Sequence, residues 1–330
     1  MWKIGNIEIN NKVVLAPMAG ITFDSYRRFM AKFGYGVAVT EMVSDMGLIY
    51  GNEETKSYIT FERSDIPIGV QLFGHDPETF KKAAKIALNL NNHIDFFDVN
   101  MGCPVPKVVD TGAGSKLMTN PKLCGDIIRA LKEATDLPIT AKIRLGWDNK
   151  SINFMEVIKE LEDAGVDMIA IHARTKKELY SGEPHYDLLK DLRSKMKVPL
   201  VVSGNIFTLD DAIKALDITG ADAVMVARGG VGNPYLLKQI NQYYLDGERL
   251  PNPSLKEQLQ WCYELAQMIV EEKGEDRGMR IYRSIASKFL NGFPNAKAYK
   301  VKLTTELVDL ASLKNILNEY AEEAGVEFSL

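Results

Sequence analysis

Cysteine is scarce: the chain has three, Cys103, Cys124 and Cys262, widely spaced and odd in number. That excludes a disulfide framework. No CxxC or Cys/His spacing marks a zinc site either, so no metal is expected. A reducing, cytoplasmic compartment fits such usage. Long apolar runs are also missing, and none approaches the roughly 20 residues that span a bilayer, so no membrane association is expected. The chain opens with the alternation WKIGNIEIN where a secretory leader would have a continuous apolar stretch. Excess positive charge is absent: the net charge is −4. A nucleic-acid surface, if there is one, must therefore be local.

What is present is a regular alternation of short β-branched runs and amphipathic stretches. The runs are 13–16, 37–40, 68–73, 96–99, 139–143, 168–171, 200–202 and 223–227. Several are apolar at successive positions, as strands buried on both faces should be. Helix-like segments fall between them at 77–90, 121–134, 154–164, 209–216 and 234–244. Asp76-Pro77 and Asn120-Pro121 open two of these helices, and Gly165 and Gly220 close two. Eight such units predict an α/β fold, the TIM (β/α)8 barrel. A doubly wound open sheet is the alternative, but it calls for GxGxxG after the first strand, where Pro17-Met18-Ala19-Gly20 stands. Residues 1–11 read as a hairpin plugging the barrel floor, with Asn10-Asn11 as turn residues. After LPNP (250–253) the chain becomes helical and strand-poor, at 254–273, 278–290 and 313–324, with Ser312 as N-cap and Gly325 as stop. The expected division is a barrel domain over 1–246 and a small all-helical domain over 247–330.

In a barrel of this kind the site is built from residues at the strand ends. Those positions hold Pro17 and Met18, Gln71, Asn100 to Cys103, Lys142 and Arg144, His172 to Arg174, Ser203 to Asn205, and Arg228 to Gly230. The glycine turns at 203–205 and 227–230 follow strands 7 and 8, where backbone N–H groups hold phosphate in this fold; tight-turn glycines are the other reading. Lys142 suits an anionic partner such as the N1/O2 edge of a reduced flavin, or it is a lysine whose head reaches out of an apolar wall. His172 alone is equally a satisfied core histidine. Gln71 and Asn100 offer amides that match the edge of a flavin or of uracil.

Cys103 carries the most specific signal. Flanked by Gly102 and Pro104, its thiol is presented on a turn that leads into a long glycine-bearing loop, PVPKVVDTGAGSKLM. Lys107 and Lys116 are the cations nearest to it in sequence. A thiol that keeps its proton at neutral pH is a competent general acid; a small buried apolar cysteine is the competing reading. Cys124 and Cys262 sit inside helix-like segments and read as structural. From Arg277 to Lys302 the helical region carries Arg277, Arg280, Arg283, Lys288, Lys297, Lys300 and Lys302 and no acidic residue. At helical spacing the first four share an arc of about 140°, a phosphate-tracking face or merely a solvated one. Tyr282, Phe289 and Phe293 lie among them for packing or stacking.

The segments LAPMAGITFDSYRR, TEMVS, VQLFG, DVNMGCPVPKVVDTGAGSKLM, AKIRLGW and IHARTKKELYSGEPHYD, with VVSGNI and VMVARGGVGNPYL, resemble the bacterial tRNA-dihydrouridine synthases, B-type subgroup, across the whole barrel. The resemblance implies an FMN-binding barrel, a helical tRNA-binding domain, and reduction of the uridine C5=C6 bond with NADPH or NADH. It implies Cys103 as the acid at C5, with Pro17, Met18 and Gln71 at the isoalloxazine and Lys142 and His172 at its polar edge. Gly204, Asn205, Arg228 and Gly229 would hold the phosphate, and Asn100 and Arg174 would face the substrate. Arg277, Arg280, Arg283 and Lys288 would meet the RNA. The chain departs from the family where NGD becomes Ser203-Gly204-Asn205, losing a carboxylate, and where a Lys-His pair is missing near Arg283. A dihydroorotate dehydrogenase-like reductase, dihydrouridine formation in ribosomal RNA, and an RNA-folding protein are the alternatives.

Overall fold

The computed structural model describes residues 1–330, which divide into two compact units, 1–22 with 35–227 and 23–34 with 228–330. Strands β1 (Trp2–Ile4) and β2 (Ile7–Ile9) form an antiparallel hairpin. Eight more follow: β3 (Val13–Leu15), β4 (Val37–Ser44), β5 (Ile68–Phe73), β6 (Phe96–Asn100), β7 (Ile139–Arg144), β8 (Met168–His172), β9 (Leu200–Ser203) and β10 (Ala223–Val226). They pair in parallel and close into a barrel, in the order β10-β3-β4-β5-β6-β7-β8-β9. The open sheet is thereby excluded.

The expected helices cap as their sequences require. Asp76 accepts from the Glu78 and Thr79 N–H groups, Asn120 from that of Leu123, and Gly220 ends Leu209–Thr219 in the left-handed region. Between β8 and β9 there is no α-helix, only two 3-10 turns, Tyr186–Leu189 and Leu192–Lys195. The N-terminal hairpin turns at Gly5, with φ +57°, and not at Asn10-Asn11. Asn11 instead brackets the start of the barrel: its Oδ1 accepts from Val13 N at 2.7 Å and its carbonyl accepts from Trp2 Nε1 at 2.9 Å.

Side chains alternate along a strand, and this alternation stratifies the interior. At the floor, Val14, Val37, Phe96, Met168, Val201 and Ala223 pack with Trp2, Ile4 and Ile9 of the hairpin. Further along, the same faces turn polar: Phe96 gives way to Asp98 and Asn100, Met168 by way of apolar Ala170 to His172, and Val201 to Ser203. Pairing brings these groups side by side, with Gln71 beside Asp98, Asp98 beside Thr140, Asn100 beside Lys142, and His172 beside Ser203. In β4 a bulge between Val39 and Met42 sets Met42 opposite Gln71. On β5, a Cβ at Gly69 would lie 2.2 Å from the Phe96 ring, so that position has no room for a side chain.

The second unit is helical: Asp24–Ala31, Tyr235–Asp246, Leu255–Lys273, Glu275–Ala286, Ala296–Thr305 and Leu310–Glu323, with a 3-10 turn at Ser287–Leu290. Within it Phe29 meets Phe289 edge-on, Phe33 meets Trp261, and Ser25 N donates to Glu272 at 2.6 Å. The last helix starts earlier than its sequence suggested. Asp309, not Ser312, is the N-cap, and Ser312 is the reciprocal partner of the capping box. The units are grouped by packing, so the composition-based division at 246/247 stays a proposal about function.

Candidate active site

A hydrogen-bonded relay lies just above the apolar tier. Thr140 Oγ1 donates to Asp98 Oδ1 at 2.6 Å, and Gln71 Nε2 donates to Asp98 Oδ2 at 2.6 Å. Asn100 Nδ2 donates to Gln71 Oε1 at 2.7 Å and reaches Met42 Sδ at 3.0 Å. The Asn100 Oδ1 then accepts from the backbone N–H groups of Cys103 (2.9 Å) and Gly102 (3.2 Å). Because the acidic end accepts only, the polarity of each amide follows from it, and the far end shapes the turn that presents Cys103. Gln71 is fully buried and Asn100 nearly so. Both therefore act here from beneath the mouth. Burial pushes the Asp98 carboxyl up, with Gln71 and Thr140 opposing it.

The Cys103 turn is also tied from its other side. Arg144, buried, donates from Nε to Gly102 O at 2.8 Å and from Nη1 to Thr175 O and Leu179 O at 2.9 and 2.7 Å. Ser115 N donates to Cys103 O at 3.0 Å, and a Cβ at Gly114 (φ +60°) would sit 2.7 Å from that oxygen. A glycine at 114 thus lets the loop close on the turn. The thiol is half-buried. Burial pushes its pKa above the ordinary thiol value, and the nearby charges of Lys142 and Arg144 pull the other way. Lys107 and Lys116, expected near the thiol, are not the cations acting on it. Cys124 and Cys262 are buried structural thiols, pushed up to about 12.

Lys142 projects beside Asn100 with no hydrogen bond or ion pair, and burial with the neighbouring Arg144 charge lowers it to about 8. Asp98 acts on it through its charge but makes no direct ion pair with it, so the ammonium keeps donors open to an anionic group. Just past β8, Arg174 Nη1 meets His172 Nε2 at 3.1 Å, and since guanidinium only donates, the neutral imidazole carries its proton on Nδ1. Arg174 is fully buried, and it holds the next loop through Ser181 O (3.0 Å) and Gly182 O (2.5 Å). Beyond Leu179, in the left-handed region at φ 54°, Tyr180 stands half exposed. Its ring lies 5.4 Å from the Arg144 guanidinium carbon and 6.0 Å from the His172 ring. Gly204 and Asn205 turn with φ 132° and 48°, and Tyr186 donates to Gly204 O at 2.5 Å. Pro17 and Met18 close the β3 end, where the Met18 N–H and carbonyl both bond Thr22 Oγ1.

The sequence reading missed Asp98, Thr140, Met42 and Tyr180 and left Arg144 without a role. Spacing held a signal for Asp98, two residues before Asn100 and so on its face. In the helical unit, Arg228 and Gly229 form a 3-10 turn. There Arg277, Arg280 and Lys288 are exposed and Arg283 is half-buried. Arg280 pairs with Asp276, and Arg283 donates to Leu307 O at 2.8 Å. Tyr282 and Phe289 are buried and serve packing; Tyr282 donates to the Cys262 carbonyl.

The sequence profile of the family described as dihydrouridine synthase (Dus) matches residues 14–324. A probable tRNA-dihydrouridine synthase of Rickettsia conorii is 36% identical over 301 residues, 91% of this chain and 90% of that protein. The tRNA-dihydrouridine synthase B of Shewanella oneidensis is 34% identical over 289 residues, 88% and 89% of the two chains. Among solved structures, histamine dehydrogenase from Rhizobium sp. 4-9 matches with a TM-score of 0.52 at 16% identity, over 73% of this chain and 47% of that one. The 6-hydroxypseudooxynicotine amine oxidase of Pseudomonas geniculata N1 matches with a TM-score of 0.55 at 13% identity, over 78% and 51%. The chain spans about half of each of these two proteins, and the likeness to them is one of fold.

Proposed function

The chain belongs to the dihydrouridine synthase family, and from that premise we propose that it reduces specific uridines of tRNA to 5,6-dihydrouridine. FMN is the proposed cofactor, NADPH or NADH the reductant, and Cys103 the proton donor. When bound at this site, FMN would supply the hydride chemistry for C6 of the uracil. The donor set suits such a group: Lys142 offers an uncommitted cation for an anionic ring edge, and His172 offers a directed imidazole. Pro17 and Met18 are proposed to flank the ring, with Gln71 beneath. Gly204 and Asn205 are the proposed phosphate donors, and Arg228 and Gly229, which follow β10 in the chain, keep the same proposed role. The proposed compartment is the cytoplasm. No helix is long and apolar enough to cross a membrane.

The observation that carries this reading is the half-buried Cys103 thiol, held on a braced turn, where burial pushes its pKa up. A thiol in that state delivers its proton to C5 as hydride arrives at C6, so the C5=C6 bond takes up one hydride and one proton. The thiolate left behind stands near two cations, Lys142 and Arg144, which offset the new charge. Asn100 keeps the turn in place, and in the proposal it and Arg174 border the substrate base. Arg277, Arg280, Arg283 and Lys288 are the proposed RNA contacts of the helical unit.

Replacing the thiol tests the reading. For Cys103→Ala we expect dihydrouridine formation, measured by nucleoside mass spectrometry of tRNA, to fall by about 10²–10⁴-fold, the usual worth of a positioned acid. Flavin content and tRNA affinity should persist. Wild-type turnover by this variant would overturn the proton-donor role.

A further inference from the structure

A uridine inside a folded RNA has to leave its stack before its base can approach a thiol at a barrel mouth. Its flanking phosphates then come to the rim, and the rim needs cations that are not already paired. We infer that Lys116, Trp147 and Lys176 form a clamp for the RNA sugar–phosphate backbone beside the Cys103 turn. The inference rests on the tRNA reading above and names where on the barrel that substrate is held.

The three residues come from three loops on the strand-end face. Trp147 follows β7 by three residues, Lys176 follows β8 by four, and Lys116 belongs to the turn Gly114–Thr119. That turn is tied to the cysteine, since Ser115 N donates to Cys103 O at 3.0 Å. The Lys116 Nζ lies 5.1 Å and the Lys176 Nζ 4.6 Å from the centroid of the Trp147 ring. One indole therefore fixes two ammonium groups in place and removes much of the rotamer freedom that lysine otherwise loses on binding.

Neither ammonium group makes a hydrogen bond or ion pair; the hydrogen bonds of both residues are made by their backbones. Of the acids in the same loops, Asp148 pairs with Lys177 at 2.7 Å and Glu178 bonds His185 at 2.6 Å and Thr175 N at 2.7 Å, while Asp110 and Glu183 pair with neither lysine. Two like charges fixed around one ring without a counter-ion repel, and an anion at the rim relieves that repulsion. A phosphodiester backbone supplies successive anions at a spacing that single carboxylates do not.

The test uses the flavin-loaded full-length enzyme and unmodified tRNA, with affinity measured across a salt series for Lys116→Gln/Lys176→Gln and for the charge-retaining Lys116→Arg/Lys176→Arg. For the Gln pair we expect roughly tenfold weaker binding at physiological salt. The slope of log affinity against log salt should be shallower by about 0.7–0.9 per lost phosphate contact. The Arg pair should restore both. Unchanged affinity and slope in the Gln pair would overturn the clamp. So would a loss that the Arg pair does not restore and that comes with a lower thermal midpoint, which would mean the lysines only fasten the loop. If the wild-type enzyme itself fails to bind tRNA, the functional reading falls, and that outcome is distinct from the other two.

Discussion

Cys103 and Lys142 stand at the same mouth and depart from their ordinary pKa values in opposite directions, the thiol upward and the ammonium down to about 8. Raising the pH through 8 therefore discharges the lysine while the thiol still holds its proton. If Lys142 faces the anionic edge of the flavin, FMN affinity falls above about pH 8 and Lys142→Met flattens that dependence. Flavin fluorescence titrations over a pH series check this, and a wild-type profile in the variant would remove Lys142 from the ring edge. Linkage gives the same residue a second signature. A lysine lowered from 10.5 to about 8 on folding binds fewer protons in the folded than in the unfolded chain between those values. The stability of the flavin-free protein thus rises with pH across that window, and the variant lacks the rise.

Strands are the scale at which the sequence was most legible. All eight barrel strands announce themselves as short apolar-rich runs, several apolar at successive positions because a parallel strand is buried on both faces. The strand ends were legible for a similar reason, since Gln71, Asn100, Lys142 and His172 interrupt apolar runs where a buried polar group needs a reason to be. Pairing register was not legible. Nothing local says that Asn100 lies beside Lys142, so the cations next to the thiol were sought among its sequence neighbours, Lys107 and Lys116. The hairpin turn was misplaced because Asn10-Asn11 carries a stronger turn signal than Gly5-Asn6, whereas Asn11 is taken up by its bonds to Trp2 and Val13. Register also fixes Gly69 against Phe96. We expect Gly69→Ala to cost about 1–3 kcal/mol, as overpacking does, read by chemical denaturation. Phe96→Leu in the same chain should recover part of it, and an unperturbed single variant would mean that the ring has room to move.

For the whole molecule, a net charge of −4 coexists with local basic surfaces. In the helical unit the structure sorts its cations. Arg280 and Arg283 are engaged within the protein, whereas Arg277 and Lys288 are exposed and make no ion pair. Charge reversal at Arg277 and Lys288 should therefore weaken tRNA binding about tenfold at low salt with flavin content unchanged, measured by filter binding. Full affinity in that variant would leave the helical unit without its proposed role.

The hairpin Trp2–Ile9 has a consequence of a different kind. By stoppering the floor of the barrel with Trp2, Ile4 and Ile9, it closes the end opposite the strand ends that carry Cys103. In the proposed reaction, reductant and uridine both approach from the strand-end face, and steady-state kinetics are expected to show the parallel lines of two separate half-reactions. Under that proposal the barrel works as an airlock, its two half-reactions separated in time because they share one face.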